Sequence, residues 1–515
     1  MDRKWWTLIA VCTGVFMLLL DITIVNVALP QIERAFKASL PDLQWVIDAY
    51  ALTLAALLLT AGSIADLAGR RLVFAVGIVI FTLGSALCGL APSSLFLSLS
   101  RALQGIGGAI MFATSLALLA QAFEPRERGV AFAAFGAVTG IAVAIGPVLG
   151  GAITSGLSWR WIFFVNVPIG IVALTITRLR VEESRLPGAP RPDAAGFITF
   201  SLALTGLVFG LIRSQAAGWG SFEVVGSFAA AAALLAAFIA TELRVSQPMF
   251  DLRLLRVPTF NGGLMAAWAL SASIFSLITY LVIYFQDLLG YSAVAAGVRF
   301  LPMTGATFLV AGIAGRLTTK VQIRYLIGGG FALVTAGLLL MRGLTAADSW
   351  THFLPGFIVA GVGTGLVNVP LASTAVGVVS AQRAGMASGI NSTLRQVGIA
   401  TGVASLGAIL TSMVRSQIVS QLAHTPLAAH AHALATTISN GGISAALDGV
   451  PHRSQILIAA AARASYVDAL NTILLVAAGV TLAGMVAALV AIRQRDFHHV
   501  RDQAADDLVA VAAGA

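Results

Sequence analysis

Apolar stretches of about 20 residues recur along this chain from one end to the other. A helix of that length, rising 1.5 Å per residue, matches the hydrocarbon core of a bilayer. Hydrophobic residues make up 58% of the 515, and charged residues only 10%, whereas soluble domains carry about a quarter charged residues. No water-soluble core could absorb that much apolar surface, so the sequence predicts an all-α integral membrane protein.

About fourteen transmembrane helices fit this template. The first six segments lie near 7–29, 45–65, 72–91, 94–120, 131–154 and 161–179. An additional pair lies near 196–213 and 222–241, and six more lie near 260–285, 294–315, 324–342, 352–377, 389–413 and 467–492. We therefore predict five units. An N-terminal six-helix bundle (1–179) is followed by a charged and proline-containing cytoplasmic linker (180–195) and by an extra helix pair with its following loop (196–257). A C-terminal six-helix bundle (258–492), which includes an outward loop at about 415–466, precedes a cytoplasmic tail (493–515).

The formal charge of +9 does not indicate nucleic-acid binding, because the basic residues sit in short loops between apolar segments. With the N-terminus inside, roughly twenty of the 31 Lys and Arg residues fall in cytoplasmic segments. We therefore predict a multi-pass protein of the bacterial inner membrane, with both termini cytoplasmic. Cys12 and Cys88 offer neither a disulfide framework nor a metal site, and we expect a monomer.

Several motifs occur in order along the first third of the chain. They are Leu20–Pro30 (LDITIVNVALP), Gly62–Arg71 (GSIADLAGRR), Arg101–Gly105 (RALQG), Gly146–Gly151 (GPVLGG) and Trp159–Pro168 (WRWIFFVNVP). In this order the chain resembles the fourteen-spanner drug:proton antiporters of the major facilitator superfamily. The resemblance implies a major facilitator fold of two six-helix bundles plus two extra helices, and export by alternating access.

Asp21 and Arg101 lie inside apolar segments, where a charged side chain costs about 2.5–3.5 kcal/mol. Counted from the predicted ends of their segments, Asp21 lies roughly 21 Å and Arg101 roughly 20 Å from the cytoplasmic side. We therefore expect the two side chains to face one cavity in the first bundle and to take part in proton coupling. The alternative is a static buried pair that only fixes helix packing.

Asp48 lies three residues after Trp45, near the outer end of the second segment. The resemblance implies that a carboxylate in this position lines the transport path and serves in proton coupling or in attracting cations. The alternative is a solvated carboxylate in the first turn of a helix, where the helix dipole favours a negative charge.

The turn between the second and third segments carries Asp66, Arg70 and Arg71. The resemblance implies a gate that holds the outward-facing state, and Glu124 and Arg128 after the fourth segment are candidate partners. Surface pairs of this kind contribute under about 1 kcal/mol. A charge cluster that only sets the topology therefore remains an alternative.

The fifth segment contains Gly140, Gly146, Pro147, Gly150 and Gly151. Glycines at this spacing let helix backbones approach closely, and Pro147 removes a backbone donor and bends the segment. A packing seam between the bundles explains these residues. The resemblance adds that they form the antiporter motif, which seals a leak path in exporters.

Four polar residues in the apolar segments are candidates for a substrate cavity: Asn26, Gln104, Asn368 and Arg395. Arg395 has no deep Asp or Glu in the second bundle, and it either contacts an anionic group or extends toward the inner membrane surface. Apolar and aromatic walls would accept many lipophilic shapes.

The sequence excludes a self-contained ATPase, because none of its lysines follows the Gly-rich spacing of a phosphate-binding loop. We predict a transporter that is not an enzyme, has no cofactor, and uses the proton gradient to export lipophilic or cationic drugs. A dedicated exporter of an endogenous lipid or natural product fits the same residues. A proton symporter and a non-transporting membrane receptor are further alternatives.

Overall fold

Helices account for nearly all of the chain that the structure describes, and its described residues contain no strand. The computed structural model describes residues 2–38, 40–124, 127–184, 193–245, 250–318, 320–379, 384–423, 425–439 and 451–497. Half of the predicted linker (residues 185–192) and the predicted tail beyond 497 lie outside these ranges. The expected all-α fold is confirmed.

The first group of helices follows the first six predicted segments closely. It comprises α1 (Arg3–Phe36), α2 (Leu40–Ala68), α3 (Arg70–Gly89), α4 (Ser94–Ala122), α5 (Arg128–Gly156), α6 (Trp161–Phe164) and α7 (Asn166–Arg180). The short α6 and α7 form one apolar segment that is interrupted at Val165. Ser93 caps α4 by accepting a hydrogen bond from the amide of Phe96, as serine commonly does at a helix start.

The extra pair consists of α8 (Ala194–Ala217) and α9 (Phe222–Glu242), which pack against each other. The second group comprises α10 (Pro258–Leu270), α11 (Ser276–Ile283), α12 (Ala293–Arg299), α13 (Leu301–Leu317), α14 (Ile323–Leu340), α15 (Leu354–Val376), α16 (Ala384–Leu422), α17 (Ala431–Ser439) and α18 (His452–Ala491). Single π-helical turns, Ser271–Phe275 and Tyr284–Leu288, lie on either side of α11. Turns of this kind often occur where a helix must deform.

Ten helical segments of the described chain are long and apolar enough to cross a membrane, by length and composition. Four shorter apolar helical stretches lie at Trp45–Leu58, Val130–Ala142, Ala195–Leu211 and Leu301–Leu317. The predicted total of about fourteen spans therefore stays a prediction. Part of the predicted outward loop is helical, since α16 extends to Leu422 and α18 begins at His452. Alanines, which favour helix, are frequent near the start of α18, at positions 459–462 and 464.

The two groups meet along several helices. Helix α5 of the first group packs against its neighbour α1 and also against α12 and α13 of the second group. Helix α16 of the second group packs against α2 and α4 of the first. One apolar cluster contains residues of both groups, among them Phe123, Phe132, Ala314 and Val376. It lies at the end of the molecule where α1 begins. The apolar cluster at the opposite end of α1 contains only residues of the first group.

Candidate functional site

Asp21 of α1 and Arg101 of α4 are in direct contact, with Arg101 Nη1 donating to Asp21 Oδ2. Their side chains are 0% and 2% exposed. Removing two charges from water is costly unless each is paired and hydrogen-bonded, and the surrounding residues meet that requirement. The structure therefore brings the two predicted charges together, but seals them in the helix core instead of placing them on an open cavity.

Gln104 lies one helical turn after Arg101 and bridges the two charges. Its Oε1 accepts from Arg101 Nη1 at 2.7 Å, and its Nε2 donates to Asp21 Oδ1 at 2.8 Å. Residues three apart on a helix lie on the same face, so the RALQG spacing allows this bridge. Gln104 has no exposed surface and belongs to this charge cluster instead of a substrate cavity.

Two further residues of the cluster, Ser85 of α3 and Asn166 of α7, were not among the predicted site residues. Asn166 Nδ2 lies 3.1 Å from Asp21 Oδ1 and 2.9 Å from Ser85 Oγ. Gln104 Nε2 also donates to Ser85 Oγ, at 2.7 Å. Asn166 could have been found from the sequence, because it is an amide within the apolar WRWIFFVNVP motif. Ser85 gives no such signal.

The opposite side of the Arg101 guanidinium contacts α2. Arg101 Nε donates to the carbonyl oxygen of Val46 at 3.1 Å, and the guanidinium carbon lies 4.2 Å from the centre of the buried Tyr50 ring. Cation–π contacts of this kind strengthen as the pair is desolvated. The charge of Arg101 is therefore held by α1, α2 and α4 together, and a change at Asp21 affects all three helices.

The predicted gate residues are divided between two contacts. Arg70 Nη1 donates to Gln121 Oε1 at 3.0 Å, and Arg71 Nε lies 3.5 Å from Glu183 Oε2. Glu183 also accepts from the backbone amides of Arg71 and Leu72, at 3.0 and 3.1 Å. It thereby caps the start of α3, where an acidic side chain satisfies free N–H groups and complements the helix dipole.

Gly69, the residue before α3, has a φ of 112°, and a Cβ there would lie 2.8 Å from Glu183 Oε1. Both the backbone conformation and the approach of the carboxylate therefore favour glycine. Glu183 was not identified from the sequence, because it comes from the distant segment after α7.

The other predicted gate residues lie near the junction of α4 and α5. Arg128 Nε donates to the carbonyl oxygen of Phe123 at 3.2 Å, and Glu124 is exposed. Glu127, which was not predicted, pairs with Lys4 of α1 at 2.8 Å. The side chain of Asp66 lies outside the described residues, as does that of Asp48.

Helix α5 packs closely against α1 at Gly146, where there is no room for a side chain. A Cβ on Gly146 would lie 1.8 Å from Thr23 Oγ1, whereas a Cβ on Gly140 would meet nothing within 4 Å. Gly150 and Gly151 are buried, and the side chain of Pro147 lies outside the described part. The predicted motif thus contains one glycine required by helix contact and another that borders open space.

The remaining substrate candidates are separate from the charge cluster. Arg395 of α16 donates from Nη2 to Asn368 Oδ1 of α15 at 2.7 Å, and both residues are partly exposed. The side chain of Asn26 is not among those described. No group of three or more side chains that could hold a metal ion occurs among the described residues.

The described residues form helices, many of them apolar enough to span a membrane, and an ion pair is buried among them; these are features of a polytopic membrane transporter. The model of the Major Facilitator Superfamily matches residues 11–403. The chain belongs to this superfamily. The predicted family and the expectation of a transporter instead of an enzyme are therefore confirmed, while the fourteen-spanner subtype stays a prediction.

The relatives agree with this assignment. The multidrug resistance protein Stp of Mycobacterium tuberculosis is 34% identical over 480 residues, which cover 92% of this chain and 89% of Stp. The tetracenomycin C resistance and export protein of Streptomyces glaucescens is 34% identical over 413 residues, covering 80% of this chain and 77% of that protein. The crystal structure of human MFSD10 has a similar fold, with a TM-score of 0.63 at 14% identity, over 95% of this chain and 100% of that one.

Proposed function

We propose that this transporter is a proton-coupled antiporter that exports lipophilic or cationic drugs and related small molecules by alternating access. The observation that carries the proposal is the buried Asp21 carboxylate, which accepts hydrogen bonds from Arg101, Gln104 and Asn166. The names of the relatives, which refer to multidrug resistance and to export, support the direction and the substrate class.

The charge cluster suits a proton-binding switch because its geometry depends on the ionisation of Asp21. An ionised carboxylate accepts from all three donors and neutralises Arg101. Breaking a buried pair by removing one charge costs about 3–5 kcal/mol, because the other charge is left uncompensated. Protonation of Asp21 would therefore favour repacking of the helices that hold the cluster, α1, α2, α3, α4 and α7, which links a proton to a change of conformation.

The proton gradient supplies enough energy for such a cycle. One charge crossing 100 mV releases about 2.3 kcal/mol, and each 1.4 kcal/mol supports about a tenfold concentration ratio. In the proposed cycle, substrate enters from the cytoplasm or the inner leaflet, and a proton from outside neutralises Asp21 as substrate leaves. Asp48 remains a second candidate for this proton.

The gate and the helix seam have proposed roles in the same cycle. The contacts of Arg70 and Arg71 lie at the end of the molecule where α1 begins, as does the apolar cluster that joins the two groups. If the N-terminus is cytoplasmic, these contacts close the cytoplasmic side and release it when the bundles rock. The close approach of Gly146 to Thr23 would keep α1 and α5 together during the movement.

The predicted arrangement in the membrane is part of this proposal. It comprises two six-helix bundles with an extra pair, a monomer in the bacterial inner membrane, and both termini in the cytoplasm. The excess of Lys and Arg in the connections that would then be cytoplasmic supports the orientation.

Inverted membrane vesicles test the direction and the coupling. Acidifying the vesicle lumen should drive accumulation of a lipophilic dye, and a protonophore should abolish it. Uptake of the same dye into whole cells, driven by an inward proton gradient, would instead identify a symporter and overturn the proposal.

Export of one natural product is a second candidate, favoured by the name of the Streptomyces relative, which refers to tetracenomycin C. Competition separates the two candidates. Several unrelated drugs should each inhibit dye transport if the selectivity is broad, whereas a dedicated exporter would respond only to compounds of one chemical type.

A further inference from the structure

Arg395 lies on α16, a helix of the second group that also packs against the first, and it is not part of the charge cluster around Asp21. Both α15 and α16 contact α4 of the first group. One face of α16, which carries Met386, Ile390 and Leu394, packs into an apolar cluster with α8, α9 and α10. Given 3.6 residues per turn, Arg395 points away from that cluster, and it reaches Asn368 of α15. The guanidinium therefore faces the interior of the transporter.

No carboxylate pairs with Arg395 among the described residues, and the hydrogen-bond acceptor found there is the neutral amide of Asn368. Arg101, by contrast, has a buried carboxylate and a second acceptor in Gln104. A guanidinium carries five N–H donors and its positive charge at every physiological pH. Arg395 belongs to an apolar helical segment, Met386–Leu422, in which an uncompensated charge is costly. It lacks the counter-charge that Arg101 possesses, and it is partly exposed, so open space reaches it.

Two unsatisfied polar groups share the face of α16 that carries Arg395. Ser388 and Asn391 lie seven and four residues before it, a spacing that places side chains on one side of a helix. They are 0% and 2% exposed, yet Ser388 Oγ and Asn391 Oδ1 have no hydrogen-bond partner within the described chain. Buried polar groups are almost always hydrogen-bonded. The Ser388 hydroxyl can donate to an acidic group, whereas Asn391 Oδ1 can only accept, so on this face Arg395 and Ser388 are the groups suited to an acidic ligand.

We propose that Arg395 binds an acidic oxygen group, such as a carboxylate, on the transported molecule, with Asn368 holding the guanidinium in place. This inference rests on the proposed export function and names one class among its lipophilic substrates: amphiphilic acids with an apolar body. A guanidinium and a carboxylate form short, charge-assisted hydrogen bonds, often two at once. The same charge disfavours a cationic group at this position.

Binding of three pyrene compounds to the protein in phosphatidylcholine nanodiscs tests the inference. Pyrenebutyrate, its methyl ester and pyrenebutyl-trimethylammonium share one apolar body and differ in charge, and energy transfer from tryptophan reports their binding. The acid should bind about tenfold more tightly than the ester, as expected for hydrogen bonds to a charged group. In Arg395→Gln this preference should disappear, with the affinity for the ester unchanged within about twofold.

Two more variants separate charge from geometry. Asn368→Asp places a carboxylate against Arg395 and should abolish the preference for the acid, while Arg395→Lys should keep a reduced preference because it retains the charge but not the planar fork. The matched control is Arg213→Gln, since Arg213 belongs to an exposed pair with Glu223 on the extra helices. It should leave all three affinities unchanged.

The binding measurement uses no gradient, so its outcome is independent of proton coupling. Equal affinity for acid and ester, or a preference that persists in Arg395→Gln, overturns the inference and leaves proton-driven export standing. Competition by phosphatidylglycerol that depends on Arg395 would assign the site to a lipid headgroup and also overturn the substrate assignment. An acid preference combined with a failure of proton-driven transport would instead retain the anion site and reject the proposed function.

Discussion

Asn166 Nδ2 donates a hydrogen bond to Asp21 Oδ1 across 3.1 Å and thereby links the first turn of α7 to the middle of α1. The same amide donates to Ser85 on α3. The environment of the carboxylate is thus built by helices that are distant in sequence. A proton on Asp21 changes what Asn166 can contact, which makes α7 a direct participant in the proposed switch.

Replacing Asn166 with alanine should weaken proton-driven transport. The variant loses one donor to the ionised carboxylate, worth about 1 kcal/mol, which corresponds to a loss of about fivefold in the transport rate. Dye transport by proteoliposomes under a fixed proton gradient measures this loss. Thr175→Ala on an exposed position of the same helix is the control, and an undiminished rate in Asn166→Ala would remove Asn166 from the coupling site.

Alanine substitutions at Gly146 and Gly140 should have opposite consequences. The Cβ of Gly146→Ala would lie 1.8 Å from Thr23 Oγ1, so α1 and α5 must separate, at a cost of about 1–3 kcal/mol. Gly140→Ala meets no atom within 4 Å and should be neutral or slightly stabilising, because alanine favours helix. Thermal unfolding in detergent, followed by tryptophan fluorescence, compares them. Equal loss of stability in both variants would contradict the assigned α1–α5 contact.

Replacing Glu183 with alanine should weaken the first turn of α3. Two backbone amides lose their acceptor, which typically costs about 1 kcal/mol at a helix start, and Arg71 loses its partner. The amides of Arg71 and Leu72 should exchange faster with deuterium. Glu182→Ala is the matched control, because Glu182 forms an exposed pair with Arg3 and such pairs contribute little. Similar exchange in the two variants would show that Glu183 is not the cap.

Much of the fold could be predicted from the sequence, because the bilayer imposes a helix length that apolar stretches reveal directly. Helix depth also predicted that Asp21 and Arg101 lie at one level, and they are in contact. Glu183 could not be predicted as a cap of α3, because its segment follows α7 and only tertiary packing brings it there. Ser85 was equally hidden, since serines are common in membrane helices and only the neighbouring donors distinguish this one.

The sequence was least informative about which small residues touch a neighbour. Gly140 and Gly146 belong to the same glycine-rich segment, yet only Gly146 is pressed against another helix. Spacing indicates where backbones can approach, whereas the side chain opposite decides whether they do. The extension of α16 to Leu422 was missed for a related reason. Apolar periodicity ends at the membrane surface, but helix propensity does not.

Proton release on substrate binding tests the central claim most directly. Wild-type protein in weakly buffered detergent solution, mixed with a lipophilic dye that it transports, should release protons that a pH indicator detects. Asp21→Asn should bind the dye with similar affinity and release none, while Asp21→Glu, which keeps the carboxylate, should retain part of the signal. Undiminished proton release and proton-coupled transport by Asp21→Asn would contradict the account.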